Sequence, residues 1–148
     1  VSVDSTLLEL LLAAGRVPVL ASLGDDGAGA LLNLNADDVA AAVAAAMQAG
    51  DLVLLSDTPG LLLEGRLVRS LDAAELELTL DRPDVTGGMR PKLRAAQLAL
   101  AAGVSRVHIG AWQGAGTLAA FLSGSAVATT LHDTRLGRAH AREEESHV

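Results

Sequence analysis

The segment Thr86-Gly87-Gly88-Met89-Arg90-Pro91-Lys92 contains the sole lysine of this 148-residue chain, whose other basic residues are all arginines. Its two adjacent glycines predict a turn. Pro91 suits the first turn of a helix, where the missing N–H costs no hydrogen bond. Apolar residues then recur on one helical face, at Leu93, Ala96 and Leu100. The segment therefore predicts a glycine turn that leads directly into a helix.

Lys92 lies near the start of this predicted helix. Helical side chains tilt towards the N-terminus, so we expect Lys92 to point back at Gly87 and Gly88. Unpaired backbone N–H groups and the positive end of the helix dipole lie there as well. Lysine adds the compact, mobile charge that proteins use on phosphates. The segment therefore predicts a phosphate site, with a solvated surface lysine as the alternative, because glycine turns before helices are common.

Composition limits the class of protein. The length fits one domain with a sizeable core, and half of the residues are hydrophobic, although Phe121 and Trp112 are the sole aromatic side chains. A formal net charge of -7 argues against nucleic acid and anionic membranes as partners. The absence of cysteine excludes disulfides, thiolate metal sites and cysteine nucleophiles, and it fits a cytoplasmic location. Residues 1–15 show no targeting peptide.

Alternating helical and strand patterns predict an α/β fold, specifically a three-layer α/β/α sandwich with a mainly parallel sheet. Residues 1–131 are expected to form the folded domain and residues 132–148 a polar C-terminal tail. We expect Ser5 to cap the first helix. Further predicted elements are helices at 5–14, 35–49, 72–80, 91–102 and 117–122, strands at 17–21, 30–34, 52–55, 104–110 and 126–131, and a hairpin at 61–68.

Buried faces follow from the spacing of apolar residues in the first two helices. The first helix is expected to turn Leu8, Leu11 and Leu12 inward, and the second Val39, Val43 and Met47. The continuous apolar run 52–55 predicts a strand that is covered on both faces.

Three polar segments are expected to lie at strand ends: Asn33 to Asp37, Ser56 to Gly60, and Thr86 to Lys92. In open α/β sheets, ligands bind beyond the carboxyl ends of the strands. We therefore expect these three segments to converge on one site.

Together these segments resemble the amino-acid kinase family. The matching residues are Asn33-Leu34-Asn35-Ala36-Asp37, Ser56-Asp57-Thr58-Pro59-Gly60-Leu61, and Thr86-Gly87-Gly88-Met89 followed by Lys92. The Thr-Gly-Gly-Met-x-x-Lys and Asp-x-x-Gly patterns are similar to many members. The Asn-x-Asn-Ala-Asp segment is similar to the acetylglutamate kinases in particular. The resemblance runs from about Val3 to Thr130 and matches the second, nucleotide-binding half of that family.

The resemblance implies transfer of the ATP γ-phosphoryl group to the side-chain carboxylate of N-acetyl-L-glutamate, a step of arginine biosynthesis. It implies ATP with Mg²⁺ as the nucleotide and no tightly bound, protein-ligated metal. Lys92 would stabilise the transferring group, Asp37 would position groups at the reaction centre, and Asn33 would bind the acetylglutamate. The implied nucleotide contacts are Ser56, Asp57, Thr58, Pro59, Gly60, Leu61, Leu62, Asp84, Val85, Thr86 and Met89.

The chain departs from the family in its extent. The family's first half carries a second catalytic lysine, a glycine-rich phosphate loop, most of the acceptor site and the usual dimer contacts. None of these is expected here, so a homo-oligomer is left open. The alternatives are a non-catalytic nucleotide-binding or regulatory module, or an amino-acid kinase with a different acyl acceptor. A dinucleotide-binding oxidoreductase is disfavoured because no strand leads into Gly-x-Gly-x-x-Gly.

Several of these residues also have structural interpretations. Asn33 and Asn35 could serve as turn and cap residues, and Asp38 could complement the helix dipole. His108 is expected to be structural. Trp112 could border the adenine pocket or cap the core. His140 and His147, around Glu143-Glu144-Glu145, are expected to lie in a solvated tail.

Overall fold

The computed structural model describes residues 2–134. The expected polar tail at 132–148, including His140 and His147, falls almost entirely outside these residues. The helices are α1 Thr6–Ala13, α2 Ala36–Ala46, α3 Ala73–Leu80, α4 Met89–Ala101 and α5 Thr117–Leu122. The strands are β1 Leu23–Asp25, β2 Leu31–Asn33, β3 Asp51–Ser56, β4 Leu62–Leu63, β5 Arg66–Leu67, β6 Ser70–Asp72, β7 Arg106–Ala111 and β8 Thr129–His132.

The central sheet has four strands in the order β3-β7-β8-β6. β3 is parallel to β7 and β6 is parallel to β8, whereas β7 and β8 are antiparallel. The predicted α/β fold with a mainly parallel sheet is therefore confirmed. The short strand β6 was not predicted from the sequence. Two antiparallel hairpins, β1-β2 and β4-β5, lie outside this sheet, and the second is the predicted hairpin.

Successive side chains of strand β7 point to opposite faces of the sheet. Val107 and Ile109 are fully buried in the main core. His108 and Gly110 point the other way, towards α5, and the His108 ring lies 6.1 Å from the Phe121 ring. Helices therefore cover both faces, which gives the three predicted layers.

Helix α4 provides much of the core. Leu93, Ala96 and Leu100 are each at most 1% exposed, as their spacing predicted. Full burial of a leucine side chain contributes about 1.5–3 kcal/mol. Helix α2 packs against α4, and its most buried residues are Ala41 and Ala44, because small side chains let the two backbones approach closely.

The buried face of α2 was therefore predicted incorrectly. Val39, Val43 and Met47 are only half-buried. They line a shallow apolar groove together with Leu20 and Leu52. The periodicity of the apolar residues is real, but it marks this groove and not the contact with α4.

The predicted strand at residues 17–21 is also wrong, because this segment pairs with no other described segment. Val17 is 86% exposed and Val19 is 94% exposed. The hairpin β1-β2 that follows is exposed as well, including Leu31 and Leu32. A strand pattern needs a neighbouring strand to supply its hydrogen bonds, and the described chain supplies none here.

Three smaller predictions are corrected. Ser5 precedes α1, but its side chain makes no capping hydrogen bond and instead donates to Glu9. The cap-like contact comes from Asp4, whose carboxylate accepts from the N–H of Thr6. Leu12 is half-exposed, whereas Leu8 is buried as expected. In β3, Leu55 is largely exposed, so this strand is covered on both faces for only part of its length.

Candidate functional site

A cavity of about 320 Å³ lies beyond the carboxyl end of β3. Two stretches of chain form its walls, the first spanning residues 56–62 and the second residues 84–92. The cavity is lined by Ser56, Asp57, Thr58, Gly60, Leu61, Leu62, Asp84, Thr86, Gly88, Met89 and Lys92. Two of the three predicted segments therefore converge directly, at the edge of the sheet where ligands bind in α/β folds.

The first wall is a tight turn stabilised by its own hydroxyl groups. The N–H of Thr58 donates to the Ser56 hydroxyl over 3.3 Å, and the Thr58 hydroxyl donates to the carbonyl of Gly60 over 3.1 Å. Gly60 has a φ of +148°, and a Cβ atom there would lie 2.5 Å from Thr129 Oγ1. Glycine is therefore required at this position, because a side chain would collide with the buried Thr129.

Thr129 supports this wall from beneath and was not anticipated from the sequence. Its hydroxyl accepts from the N–H of Leu61 over 2.8 Å and donates to the carbonyl of Val68 over 2.6 Å. The side chain is fully buried, so both of its hydrogen bonds are made inside the protein. The one available signal was a threonine within a predicted strand, which is too common to indicate a role.

The second wall is the start of α4. Gly87 adopts a φ of +54°, and the N-terminal residue Gly88 offers no side chain to cap the helix. The first turn of α4 contains no acidic residue. In α2, by contrast, the first turn contains Asp37 and Asp38, and the Asn35 side chain caps the helix by accepting hydrogen bonds from their backbone N–H groups. The N-terminus of α4 therefore keeps its positive dipole end uncompensated beside the cavity.

Lys92 forms an ion pair with Asp37 across this site. Its Nζ atom donates to Asp37 Oδ1 over 2.8 Å, and each side chain is 18% exposed. The third predicted segment thus reaches the site through Asp37. Lys92 is partly buried and paired, so the surface-lysine interpretation is wrong.

A second polar group connects the β4-β5 hairpin, which continues the first wall, to Asp84 in the second wall. The N–H of Glu64, in the turn between β4 and β5, donates to Asp84 Oδ2 over 3.0 Å. Arg82 Nη2 donates to Glu64 Oε1 over 3.1 Å and to Asp84 Oδ2 over 3.3 Å. The Glu64 N–H, and then the Arg82 guanidinium, lower the pKa of Asp84 below its ordinary value, so Asp84 is a carboxylate at neutral pH.

A polar cluster around the buried His108 occupies the opposite end of the sheet. His108 contacts Asp51 Oδ1 through Nε2 over 3.0 Å and the Thr130 hydroxyl through Nδ1 over 3.1 Å. Arg106 makes two further hydrogen bonds to Asp51. Burial alone would raise the pKa of Asp51, but hydrogen bonds from Arg106 and His108 outweigh it and leave the pKa below its ordinary value. His108 therefore has a structural position, as expected.

Sequence comparison identifies the family. The sequence model of the amino acid kinase family matches residues 1–111. The chain belongs to the amino acid kinase family. Within that family, it is 47% identical over 130 residues to the acetylglutamate kinase of Rubrobacter xylanophilus and 41% identical over 109 residues to that of Streptococcus gordonii. These matches cover 87% and 74% of this chain, and 50% and 44% of the relatives.

Solved structures agree with this family assignment. The protein smu.665 from Streptococcus mutans has a TM-score of 0.76 at 30% identity, over 89% of this chain and 49% of that one. N-acetylglutamate synthase from Neisseria gonorrhoeae, complexed with coenzyme A and L-arginine, has a TM-score of 0.78 at 29% identity, over 87% of this chain and 30% of that one. Carbamate kinase from Giardia lamblia bound to AMP-PNP shares the fold, with a TM-score of 0.70 at 15% identity over 90% of this chain and 46% of that one.

The chain spans about half the length of the acetylglutamate kinases it matches. It therefore corresponds to one part of the amino acid kinase fold. The activity, substrates and partners of such a protein as a whole are treated as proposals below.

Most of the residues singled out for nucleotide contact line the cavity, but four predicted site residues do not. Asp37 reaches the cavity only through its ion pair with Lys92. Val85 is buried, and its carbonyl accepts from Arg90 instead. Pro59 shapes the turn without lining the cavity. Asn33 lies exposed on β2, away from the cavity lining. Trp112 follows β7 at the same edge of the sheet, is largely exposed and does not line the cavity.

Within residues 2–134, no group of three or more histidine, aspartate or glutamate side chains is arranged to hold a metal ion. No helix in the same part of the chain is long and apolar enough to cross a membrane.

Proposed function

We propose that this chain is the nucleotide-binding part of an acetylglutamate kinase, which transfers the ATP γ-phosphoryl group to the side-chain carboxylate of N-acetyl-L-glutamate. The observation that carries the proposal is Lys92, which lines a cavity at the carboxyl end of β3 beside the uncapped N-terminus of α4 and is held there by an ion pair with Asp37. The identities of 41–47% to acetylglutamate kinases support the choice of acceptor.

The residues of the cavity fit a nucleotide bound with Mg²⁺. The α4 N-terminus and Lys92 suit phosphate oxygens, because both present positive charge and N–H donors. Asp57 and Asp84 line the first and second walls and can accept hydrogen bonds from ribose hydroxyls or the base. Bound ATP supplies the activated phosphoryl group. Mg²⁺ keeps most of its ligands as water and phosphate oxygens, so the proposal requires no acidic cage in the protein.

The chemistry needs charge compensation more than proton transfer. The proposed acceptor is already a carboxylate, so no general base is required. The difficulty is to bring two anions together and to stabilise the charge spread over the transferring group. Lys92 lies at the α4 N-terminus, where its ammonium adds to the helix dipole.

Asp37 has a positioning role in this proposal. Its carboxylate holds Lys92 Nζ at 2.8 Å, and its backbone N–H is fixed by Asn35 over 2.9 Å. A free carboxylate beside phosphate would repel the substrate, whereas a paired one fixes the direction of the lysine side chain. We therefore assign Asp37 to orienting Lys92. We retain Asn33 as the proposed contact with acetylglutamate.

A further segment of polypeptide completes the acceptor site in this proposal. The chain matches about half the length of its relatives, and it exposes apolar side chains at residues 17–20 and on the β1-β2 hairpin. The open edge of β3 lies beside the groove that Leu20 and Leu52 help to line. We propose that the polypeptide corresponding to the other half of the relatives packs here, since an apolar surface and an unpaired strand edge both favour strand addition.

The test is a calorimetric titration of the folded chain with MgATP, followed by an assay with N-acetyl-L-glutamate, MgATP and hydroxylamine. Saturable MgATP binding is expected. The hydroxamate that reports an acyl phosphate is expected once the remaining half of the domain is present. A chain that is folded by circular dichroism and shows no nucleotide binding would refute the proposed site.

A second candidate function is a nucleotide-binding or regulatory module without catalysis. The structural similarity to N-acetylglutamate synthase is consistent with it only in that this fold also occurs in a protein whose name does not denote a kinase. The two candidates differ in the hydroxamate assay. Binding of MgATP without hydroxamate, in the presence of the complete domain, would favour the module.

A further inference from the structure

We propose that Arg82 is a positioning residue of the nucleotide site, which holds the two walls of the cavity at a fixed separation through Glu64 and Asp84. This inference rests on the proposed nucleotide function of the cavity. It assigns a role to a residue that neither the sequence motifs nor the family resemblance singled out.

Two polar contacts hold the second wall in place. At one end, the α4 N-terminus and Lys92 are joined to α2 through Asp37. At the other end, the β4-β5 hairpin, which continues the first wall, is joined to the second wall through Arg82, Glu64 and Asp84. Glu64 and Arg82 are 18 residues apart in the chain, so their hydrogen bond connects two separate loops.

The hairpin turn depends on this contact because its backbone is strained. Glu64 has a φ of +51°, a left-handed conformation that is unfavourable for a residue with a side chain. Its N–H is held by Asp84 Oδ2, and its carboxylate is held by Arg82. Leu62, two residues earlier, lines the cavity. Release of Glu64 would therefore let this part of the first wall move.

Asp84 needs Arg82 for a second reason. Its side chain is 25% exposed and lines a cavity proposed to receive a triphosphate. An unpaired carboxylate in this position would repel an anionic ligand. Arg82 compensates this charge, and Oδ2 accepts hydrogen bonds from Arg82 Nη2 and from the N–H of Glu64. The group thus leaves Lys92 and the helix N-terminus to set the charge at the phosphate end of the cavity.

A single nitrogen atom of Arg82 makes both contacts. Nη2 donates to Glu64 and to Asp84, whereas Nε is buried without a hydrogen-bond partner among the described residues. One ammonium group could therefore satisfy both carboxylates. This predicts that Arg82→Lys retains most of the function of Arg82 and that Arg82→Gln does not.

The experiment measures MgATP affinity by calorimetry for the unsubstituted chain, Arg82→Gln, Arg82→Lys and Glu64→Gln. Arg66→Gln is the matched control, because Arg66 lies on the same hairpin, is exposed and loses the same charge. We expect Arg82→Gln to raise the Kd of MgATP about fivefold to tenfold, with Arg82→Lys within about threefold and Arg66→Gln within about twofold of the unsubstituted chain. Glu64→Gln should raise the Kd less than Arg82→Gln, because Asp84 keeps its partner.

The MgATP affinity of the double variant Arg82→Gln with Glu64→Gln tests whether Arg82 acts through Glu64 and does not merely stabilise the fold. If Arg82 acts through Glu64, the double variant should bind MgATP about as weakly as Arg82→Gln alone. Unchanged affinity in Arg82→Gln, while the unsubstituted chain binds, would overturn the inference but leave the nucleotide site intact. If Arg82→Gln failed to fold, unchanged affinity in the exposed Glu64→Gln variant would overturn it instead. Absence of binding by the unsubstituted chain would refute the nucleotide site itself, and the inference with it.

Discussion

Lys92 Nζ and Asp37 Oδ1 lie 2.8 Å apart, and this contact joins the first turn of α4 to the first turn of α2. The two residues are separated by 55 positions in the sequence. Helix α2 starts with a capping asparagine and two acidic residues, whereas α4 starts with two glycines and has no acidic residue. One helix start is thus electrostatically neutralised, and the other remains available for an anion.

The first prediction separates the charge of Lys92 from its structural contribution. Lys92→Met should leave Asp37 unpaired in a position that is 18% exposed, and should destabilise the fold by about 1–3 kcal/mol. The double variant Lys92→Met with Asp37→Asn removes both charges and should recover most of that loss. MgATP binding should remain at least about tenfold weaker in both variants, because neither has the ammonium group.

Chemical denaturation and calorimetric titration check this prediction together. Arg94→Met is the matched control, because Arg94 lies on the same helix, is exposed and does not line the cavity. Recovery of MgATP affinity in the double variant would show that Lys92 serves only to balance Asp37.

The second prediction concerns the contact between β7 and α5. A Cβ atom at Gly110 would lie 2.9 Å from two ring carbons of Phe121, which is buried, and 3.2 Å from the Cβ atom of Ala128. Gly110→Ala should therefore destabilise the fold by about 1–3 kcal/mol through overpacking. Urea unfolding measures this change. Gly50→Ala is the control, because a Cβ atom there meets nothing within 4 Å. Equal stability of the two variants would show that α5 lies elsewhere in solution.

The third prediction concerns acid stability at the start of α3. Asp72 caps this helix and accepts hydrogen bonds from the hydroxyl and the N–H of Thr134 and from the N–H of Ala74. The Thr134 hydroxyl first, and then the Ala74 N–H, lower the pKa of Asp72 from its ordinary 3.8 to about 2. Since the folded-state pKa is the lower one, the stabilisation is fully present above pH 3.8 and is lost as the pH falls towards 2.

Thermal unfolding of the unsubstituted chain and of Asp72→Asn over this pH range checks the sign. The melting temperature of the unsubstituted chain should fall more steeply with acid, so the difference between the two proteins should narrow as the pH decreases. Glu75→Gln, in the first turn of the same helix, should keep the steep dependence. Parallel curves for Asp72→Asn and the unsubstituted chain would contradict the assignment.

Local sequence patterns predicted the parts of the fold that depend on local physics. The helix at residues 117–122 and the buried face of α4 were confirmed. Glycines at helix ends and the spacing of apolar residues determine such features within a few residues of the chain. The segment at 56–60 follows β3, so its place agrees with the rule that ligands bind beyond the carboxyl ends of strands. The segment at 86–92 follows α3 instead and reaches the same edge as the start of α4.

Features that depend on distant partners were missed. The sequence around Arg82 does not indicate that Glu64 lies beside it. The sequence around Leu61 does not indicate that its N–H donates a hydrogen bond to the Thr129 hydroxyl. The strand pattern at residues 17–21 misled for the same reason, because alternation of apolar residues reports the propensity for a strand but not the presence of a neighbour. Asn33 was assigned from the family resemblance, and its position on an exposed hairpin leaves that role a proposal.

The last prediction tests whether the apolar surface at residues 17–20 is free in this chain. Val19 is 94% exposed, so Val19→Lys should change the free energy of unfolding by no more than about 0.5 kcal/mol. The same substitution should reduce binding of a hydrophobic dye to the folded chain, because it interrupts the exposed apolar surface. Leu54→Lys, at a position that is 3% exposed in the neighbouring strand β3, should prevent folding.

A decrease of more than about 1 kcal/mol in the free energy of unfolding of Val19→Lys would show that Val19 is buried in solution, as it would be against a second copy of the chain. Sedimentation of the unsubstituted chain across a range of concentrations would then detect the dimer. If the chain is a monomer and Val19→Lys leaves its stability unchanged, the surface is available to the polypeptide proposed to complete the acceptor site.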